Sequence, residues 1–355
     1  MGSARHLAAL GVALTGLALA GPTAGAAAST AAAPPSTSAP SSAPATPAPA
    51  SGQIRLVLRK VGGSPPFALV GRRIVLRGLV MPYVAGQSVT VGFYLDRRQV
   101  GTDVVGVRPA SGGAGEFEVS FTSHYAGLLE ARAAHSATAQ QAAFSGRSQA
   151  VRYVHADLGP GARGQSVRLL QSELDVLHYA VPLTGSFDEG TEQALIAYRK
   201  MTGLPRIPYA GTRVFELLGR RAGSFHVRYP RDGRHVEADL TRQVLAEIEP
   251  GGRVRKIYTT SSGKPSTPTV IGRFQVYEKT PGENSEGMVD SNYFIRGYAI
   301  HGYAEVPTYA ASHGCLRVPI PDAPAIYAWV RVGTPVDVYN DDGGGSARVR
   351  SDAGP

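Results

Sequence analysis

Between residues 55 and 133, apolar and polar side chains alternate in five short runs: Arg55–Leu58, Arg73–Val80, Ser88–Leu95, Glu116–Phe121 and Leu128–Ala133. A period of two sends successive side chains to opposite faces, so each run describes a strand with one face to bury. Breaks rich in Gly, Pro and Asp separate the runs, among them Gly62-Gly63-Ser64-Pro65-Pro66 and Ser111-Gly112-Gly113. Short strands at this spacing bury their apolar faces by stacking two antiparallel sheets, so residues 52–153 are expected to form a small β-sandwich. No chemistry is visible in it.

The period then changes. Val167, Leu170, Leu174 and Leu177 recur at helical spacing, and Gly185-Ser186-Phe187-Asp188 forms a turn. Asp188 is placed to cap a second helix running through Thr191, Ala194, Leu195 and Tyr198. A third helix follows Gly211-Thr212 and ends at Leu217-Leu218. From Phe225 the strand pattern returns: His226–Tyr229, Val236–Leu240, Gln243–Ile248, Val254–Ser261, Arg273–Lys279, Ala299–His301 and Val336–Tyr339, with a helical stretch at Asp322–Val330. The expected fold is multidomain. A β-sandwich-like N-terminal domain (52–153) precedes a small three-helix domain (156–219) and a mostly β domain (225–340).

Two segments resemble known modules. The sandwich pattern is similar to the immunoglobulin-like modules of exported bacterial proteins, in pattern only. Residues 156–219 resemble the three-helix peptidoglycan-binding module, through Gly164, Val167-Arg168-Leu169-Leu170-Gln171, Gly185, Phe187-Asp188, Thr191 and Gly203-Leu204. The Asp-Gly turn usual after the Gly-Leu pair is replaced here by Pro205-Arg206-Ile207-Pro208. A detachable targeting module of this kind predicts that its deletion weakens wall binding and spares turnover of soluble fragments; a plain helical spacer is the alternative.

At the N-terminus, Arg5 precedes an apolar run from Leu7 to Ala20, too short for a comfortable membrane span. Small-residue cleavage signals follow at Ala18-Leu19-Ala20 and Ala24-Gly25-Ala26, so residues 1–26 read as a secretory signal. No cysteine lies near enough for a lipid anchor, and an uncleaved signal would leave a membrane tether. Residues 27–51 form a Pro/Ala/Ser/Thr-rich linker and 341–355 a Gly-rich tail expected to fray.

Charge is uneven. The chain's net charge is +9, yet residues 51–155 alone carry 12 Lys and Arg against 5 Asp and Glu. This basic segment has no helix-turn-helix, zinc-finger or aromatic–basic RNA-binding signature, which argues against nucleic acid. An anionic wall polymer is the better partner, and an Arg-rich soluble surface the plain alternative.

The chain has one cysteine, Cys315. In an exported protein a lone cysteine is either buried filler or a reactive thiol. Thiol catalysis needs a base to take the proton and donors for the oxyanion. A free thiol has a pKa of about 8.5 and is mostly protonated at neutral pH, and a nearby imidazole can hold it as a thiolate–imidazolium pair. His301 and His313 precede Cys315 closely and no histidine follows it. His301 ends an apolar run, so it sits at a strand end, and Gly314 lets the backbone approach a substrate carbonyl.

The string Ser312-His313-Gly314-Cys315-Leu316-Arg317, preceded by Ile300-His301-Gly302, resembles the catalytic signature of the L,D-transpeptidase (YkuD-like) family. Val236–Leu245 looks like that family's opening hairpin. Thr260–Thr269, followed by Gly272-Arg273-Phe274, looks like its Gly/Pro-rich loop. The resemblance spans 225–340 and implies a mostly β domain acting on peptidoglycan stem peptides, with no metal or other cofactor. It makes Cys315 the nucleophile and His301 the base, oriented by the Gly302 carbonyl. The amides of Gly314 and Cys315 would form the oxyanion hole, with His313 beside the thiol. Cys315 would attack the bond between a third-position diamino acid and D-Ala. The thioester would then pass to the amine of an acceptor stem, giving a 3–3 cross-link, or to water in an L,D-carboxypeptidase.

Ser312, Arg317 and Tyr298 are the substrate-facing candidates. Ser312 is expected to shape the loop, Arg317 to meet a carboxylate or make a structural ion pair, and Tyr298 to line the cleft or pack. Ten residues separate His301 from Ser312, fewer than in many relatives. Endopeptidases of the NlpC/P60 type place the cysteine before the histidine, sortases lack Ser-His-Gly-Cys, and no set of zinc ligands is visible. A wall-binding protein with a vestigial Cys315 is the non-enzymatic alternative.

Overall fold

The computed structural model describes residues 48–341. The expected signal peptide, most of the linker and all of the tail beyond Asp341 lie outside the described residues. The described part is mostly β, with four α-helices. No helix in it is long and apolar enough to cross a membrane.

The first ten strands are β1 (Gln53–Arg59), β2 (Phe67–Leu69), β3 (Arg73–Met81), β4 (Ser88–Leu95) and β5 (Arg98–Gly106). They continue with β6 (Arg108–Pro109), β7 (Gly115–Thr122), β8 (Gly127–His135), β9 (Phe144–Arg147) and β10 (Val151–Val154). One sheet has the order β1-β3-β7-β6, and the other runs β2-β10-β8-β4-β5 with β9 on β8. Between them lies a core of Ile74, Leu76, Val80, Phe117 and Val119 from one sheet and Val91, Phe93, Leu129 and Ala131 from the other. The five alternating runs all fall in strands. No alternating run marks β2, β5, β6, β9 or β10, and β2 pairs with β10 in parallel. β5 is exposed along most of its length, so no inward set of apolar residues marks it. Chain order begins before Ser51, since Ala50 exchanges backbone bonds with Gln140 and Ala142.

Helices α1 (Gln165–Val176), α2 (Glu189–Met201) and α3 (Thr212–Gly219) follow. Asp188 caps α2 as its sequence position requires, its carboxylate accepting the Thr191 N–H at 2.9 Å. The helices share one apolar core with both neighbours. Phe67, Leu69 and Val154 meet it from the sandwich, and Val244, Ala246, Ile248 and Ile257 from the strands beyond.

Those strands are β11 (His235–Asp239), β12 (Val244–Glu249), β13 (Arg253–Thr259), β14 (Gly272–Gln275) and β15 (Glu278–Glu283). β16 (Val289–Ile295), β17 (Tyr298–Tyr303), β18 (Leu316–Pro319), helix α4 (Ala323–Trp329) and β19 (Pro335–Tyr339) complete the domain. A five-stranded sheet, β13-β12-β11-β19-β14, and a four-stranded sheet, β15-β16-β17-β18, enclose a third core. Strand β12 is buried on both faces: Leu245 enters this core, while Val244, Ala246 and Ile248 face the helices.

Two expected strands differ. His226–Tyr229 joins no ladder, because the Arg228 and Tyr229 amides donate to the buried Glu237 carboxylate instead. Arg273–Lys279 divides into β14 and β15, one in each sheet. The chain changes sheets where the Val276 amide binds the Thr334 carbonyl and the Tyr277 amide that of Tyr293.

Candidate active site

Strands β17 and β18 pair in parallel, with Ile300 opposite Leu316 and His301 opposite Arg317. Parallel neighbours need a crossover of about a dozen residues or more. Residues 304–315 supply it at the short end of that range, so Ser312–Cys315 arrives tightly beside the start of β17.

The Cys315 thiol is partly exposed. Its sulfur accepts the Ala299 N–H at 3.5 Å, and its S–H points to the Gly297 carbonyl at 3.8 Å. His301 is 3% exposed, and its Nδ1 lies 2.9 Å from the Gly302 carbonyl oxygen. A carbonyl only accepts, so Nδ1 carries the proton and Nε2 keeps its lone pair. The Gly302 carbonyl thus fixes which ring nitrogen carries the proton. Gly302 also has to be glycine, since a Cβ there would stand 2.8 Å from the Ala323 Cβ.

Among the described residues the thiol makes no hydrogen bond to an imidazole. Burial pushes the Cys315 thiol above its ordinary value, against the pull of the Ala299 amide and the Arg317 charge. Burial also pushes His301 below its ordinary value, and Arg317 adds to that while the Gly302 bond opposes it. Both shifts favour the neutral forms of thiol and imidazole.

The glycine before the cysteine is also engaged. Gly314 has φ +123, and a Cβ there would run into the Tyr298 ring. Its N–H donates to Ser312 Oγ at 3.0 Å, closing a short Ser turn, so the expected Gly314 donor for an oxyanion is already used. The Cys315 N–H donates to no group among the described residues and remains available. Ser312 is 1% exposed, and its hydroxyl also donates to the Cys315 carbonyl at 2.6 Å. Both hydrogen bonds lie within the 312–315 loop. Tyr298 packs over Gly314.

His313 is exposed, with Nε2 3.2 Å from Lys264 Nζ. Arg317 makes no ion pair among the described residues. Its guanidinium sits 3.9 Å over the Tyr303 ring, on the strand face it shares with His301.

The 260–269 loop has a supporting role that the sequence reading did not assign. Thr269 Oγ1 accepts the Gly263 N–H and donates to the Gly314 carbonyl, both at 2.8 Å. Lys264 N and Thr267 Oγ1 donate to the Ser312 carbonyl. The signal was a Ser/Thr-rich run within a Gly/Pro loop. Its hydroxyls need partners when buried, but nothing local names them.

Residues 233–338 match the YkuD family, the L,D-transpeptidase catalytic domain. Through this segment the chain belongs to that family. It is similar to the solved L,D-transpeptidase of Xylanimonas cellulosilytica, at 31% identity over 52% of this chain and 98% of that one, TM-score 0.49. The L,D-transpeptidase of Stackebrandtia nassauensis is 22% identical over 54% of this chain and 98% of that one, TM-score 0.35. A cysteine-to-serine mutant of the Enterococcus faecium L,D-transpeptidase is 27% identical over 30% of this chain and 50% of that one, TM-score 0.27. No curated protein matches the chain.

Proposed function

We propose that the protein is a cysteine-dependent L,D-transpeptidase that forms 3–3 cross-links in peptidoglycan. The observation that carries the reading is the β17–β18 register, which sets Cys315 beside Ala299–His301 while the Gly302 carbonyl leaves Nε2 of His301 free to accept a proton. In the reaction, Nε2 takes the thiol proton as sulfur attacks the carbonyl carbon at the third stem position. The Cys315 N–H faces the oxygen on which charge develops. The bond to D-Ala then breaks, the imidazolium returns its proton to the leaving amine, and a thioester remains. An acceptor amine attacks that thioester and gives its proton to His301; the thiol is released. Arg317 would hold a substrate carboxylate.

The apolar run Leu7–Ala20 supports export to the wall. The helical segment, with its likeness to a peptidoglycan-binding module, and the basic sandwich would contact wall polymers there. Incubation with purified tetrapeptide fragments tests the reading by mass spectrometry of protein and products. The expected result is an acyl-enzyme, free D-Ala and a cross-linked dimer. D-Ala with tripeptide and no dimer would make the enzyme a carboxypeptidase, and no acylation at all would leave a wall-binding protein.

The neutral pair sets the pH dependence. Protonated His301 accepts no proton, so kcat/KM falls in acid. Burial makes that protonation harder, so the fall lies below pH 6.5, the ordinary imidazole value. Burial likewise makes the thiol harder to ionise than an ordinary cysteine. A broad plateau between the two is expected, and alkylation of Cys315 by iodoacetamide should accelerate only at higher pH than for an ordinary thiol. A thiol half-titrated near neutrality would instead mean a resting thiolate.

A further inference from the structure

Two cations of the helical segment reach into the loops that build the site. Lys200, in the last turn of α2, is 4% exposed. Its ammonium donates to the Gln243 carbonyl at 2.9 Å, Thr259 Oγ1 at 2.6 Å and the Thr260 carbonyl at 2.9 Å. All three of its N–H bonds are thus used, while burial still pushes the ammonium well below its ordinary value. The two carbonyls lead directly to the nucleophile loop. The Gln243 side chain donates to Ser262 Oγ at 2.6 Å and accepts the Ser262 N–H at 2.9 Å. The Ser262 carbonyl in turn accepts the amides of Ala311 and Ser312, at 2.8 and 2.9 Å.

Arg206 acts on the other side of the same loop. It lies in Pro205-Arg206-Ile207-Pro208, where the sequence departs from the binding-module pattern. Its guanidinium donates to the Thr308 carbonyl, in the segment between His301 and Ser312, with a longer contact to the Thr241 carbonyl at 3.5 Å. Arg199, buried beside Lys200, holds the loop that carries Arg206 through the carbonyls of Pro205 and Tyr209. The departure from the pattern thus coincides with the reach into the site.

We propose that the helical segment is a working part of the active site, with Lys200 and Arg206 as positioning residues that hold the 260–269 and 304–311 loops, and through them Ser312–Cys315, in the geometry that receives substrate. This rests on the transpeptidase reading. Neither side chain touches the reacting atoms; both act through backbone carbonyls.

Arg206→Ala is the primary test, because Arg206 is half-buried and its acceptors can turn to water. The expected variant keeps its melting temperature but loses on the order of 10- to 100-fold in kcat/KM on soluble tetrapeptide fragments, mostly in kcat. Arg206→Lys should recover part of that loss, since one donor can still reach Thr308. Amide exchange across 304–311 should accelerate in Arg206→Ala, and across 260–269 in Lys200→Met. Where Lys200→Met fails to fold, Arg206→Ala carries the test alone. A folded Arg206→Ala variant with wild-type turnover and unchanged exchange overturns the proposal. A wild-type protein that never acylates fails the transpeptidase reading instead, and the exchange measurements then decide the loop-holding role separately.

Discussion

Cys315→Ala is expected to abolish acyl-enzyme formation and D-Ala release while the protein keeps its fold. The two consequences separate because of where the sulfur sits. Its only hydrogen-bonding contacts among the described residues are the long ones to Ala299 and Gly297, and the residue is partly exposed. Removing the sulfur costs the buried Ala299 N–H only a long, weak acceptor, so stability should change by about 1 kcal/mol. Turnover has no such tolerance. The chain has a single cysteine, so no second thiol can take over. Loss of a nucleophile costs about 10^4-fold or more, equivalent to roughly 5 kcal/mol of barrier. Intact-mass analysis after incubation with tetrapeptide fragments, together with a thermal melt, measures both. Continued D-Ala release by the folded variant would show that Cys315 is not the nucleophile.

Deleting residues 156–219 should cost the catalytic domain its fold, and with it all activity. The domain organisation inferred from sequence led to the opposite expectation, a targeting module lost without harm to turnover of soluble fragments. The reason for the reversal is strand β12. Val244, Ala246 and Ile248 point into the core built by α1, α2 and α3, and Ile257 of β13 joins them. Each is fully buried, and exposing a Val or Ile side chain costs roughly 1.5–3 kcal/mol. Exposing three such side chains, with Ala246, approaches the 5–15 kcal/mol that typically holds a domain together. The deletion also strips edge strand β13 of its partner at Tyr179, where Ala180 and Ile257 exchange backbone bonds with Ile257 and His178. It leaves the acceptors of Lys200 without their donor. Circular dichroism and a thermal melt of the deletion variant check this. A soluble variant with a cooperative melt and wild-type turnover of soluble fragments would restore the detachable-module view.

Much of the local structure was legible in the sequence. The alternating runs became strands, the spacing of Val167, Leu170 and Leu174 became the buried side of α1, and Asp188 caps α2 as its position requires. The order His301, Ser312-His313-Gly314-Cys315 located the candidate site without any coordinates. Strands that failed the pattern failed for a physical reason. β16 buries Ser291 and Asn292, and β5 lies mostly open to solvent, so neither shows the apolar alternation that marks a half-buried strand.

What the sequence determined by itself is the local period, the caps and turns, and the residue types that can do thiol chemistry. Those depend on neighbours within a few positions. Only the tertiary structure decided which groups were already occupied. Ser312 takes the Gly314 amide, burial favours the neutral forms of Cys315 and His301, and β12 is shared between two cores. Lys200 and Arg206 reach Thr260 and Thr308 across 60 and 102 positions of chain. No local period encodes such contacts, because a buried donor takes whichever acceptor the fold brings to it.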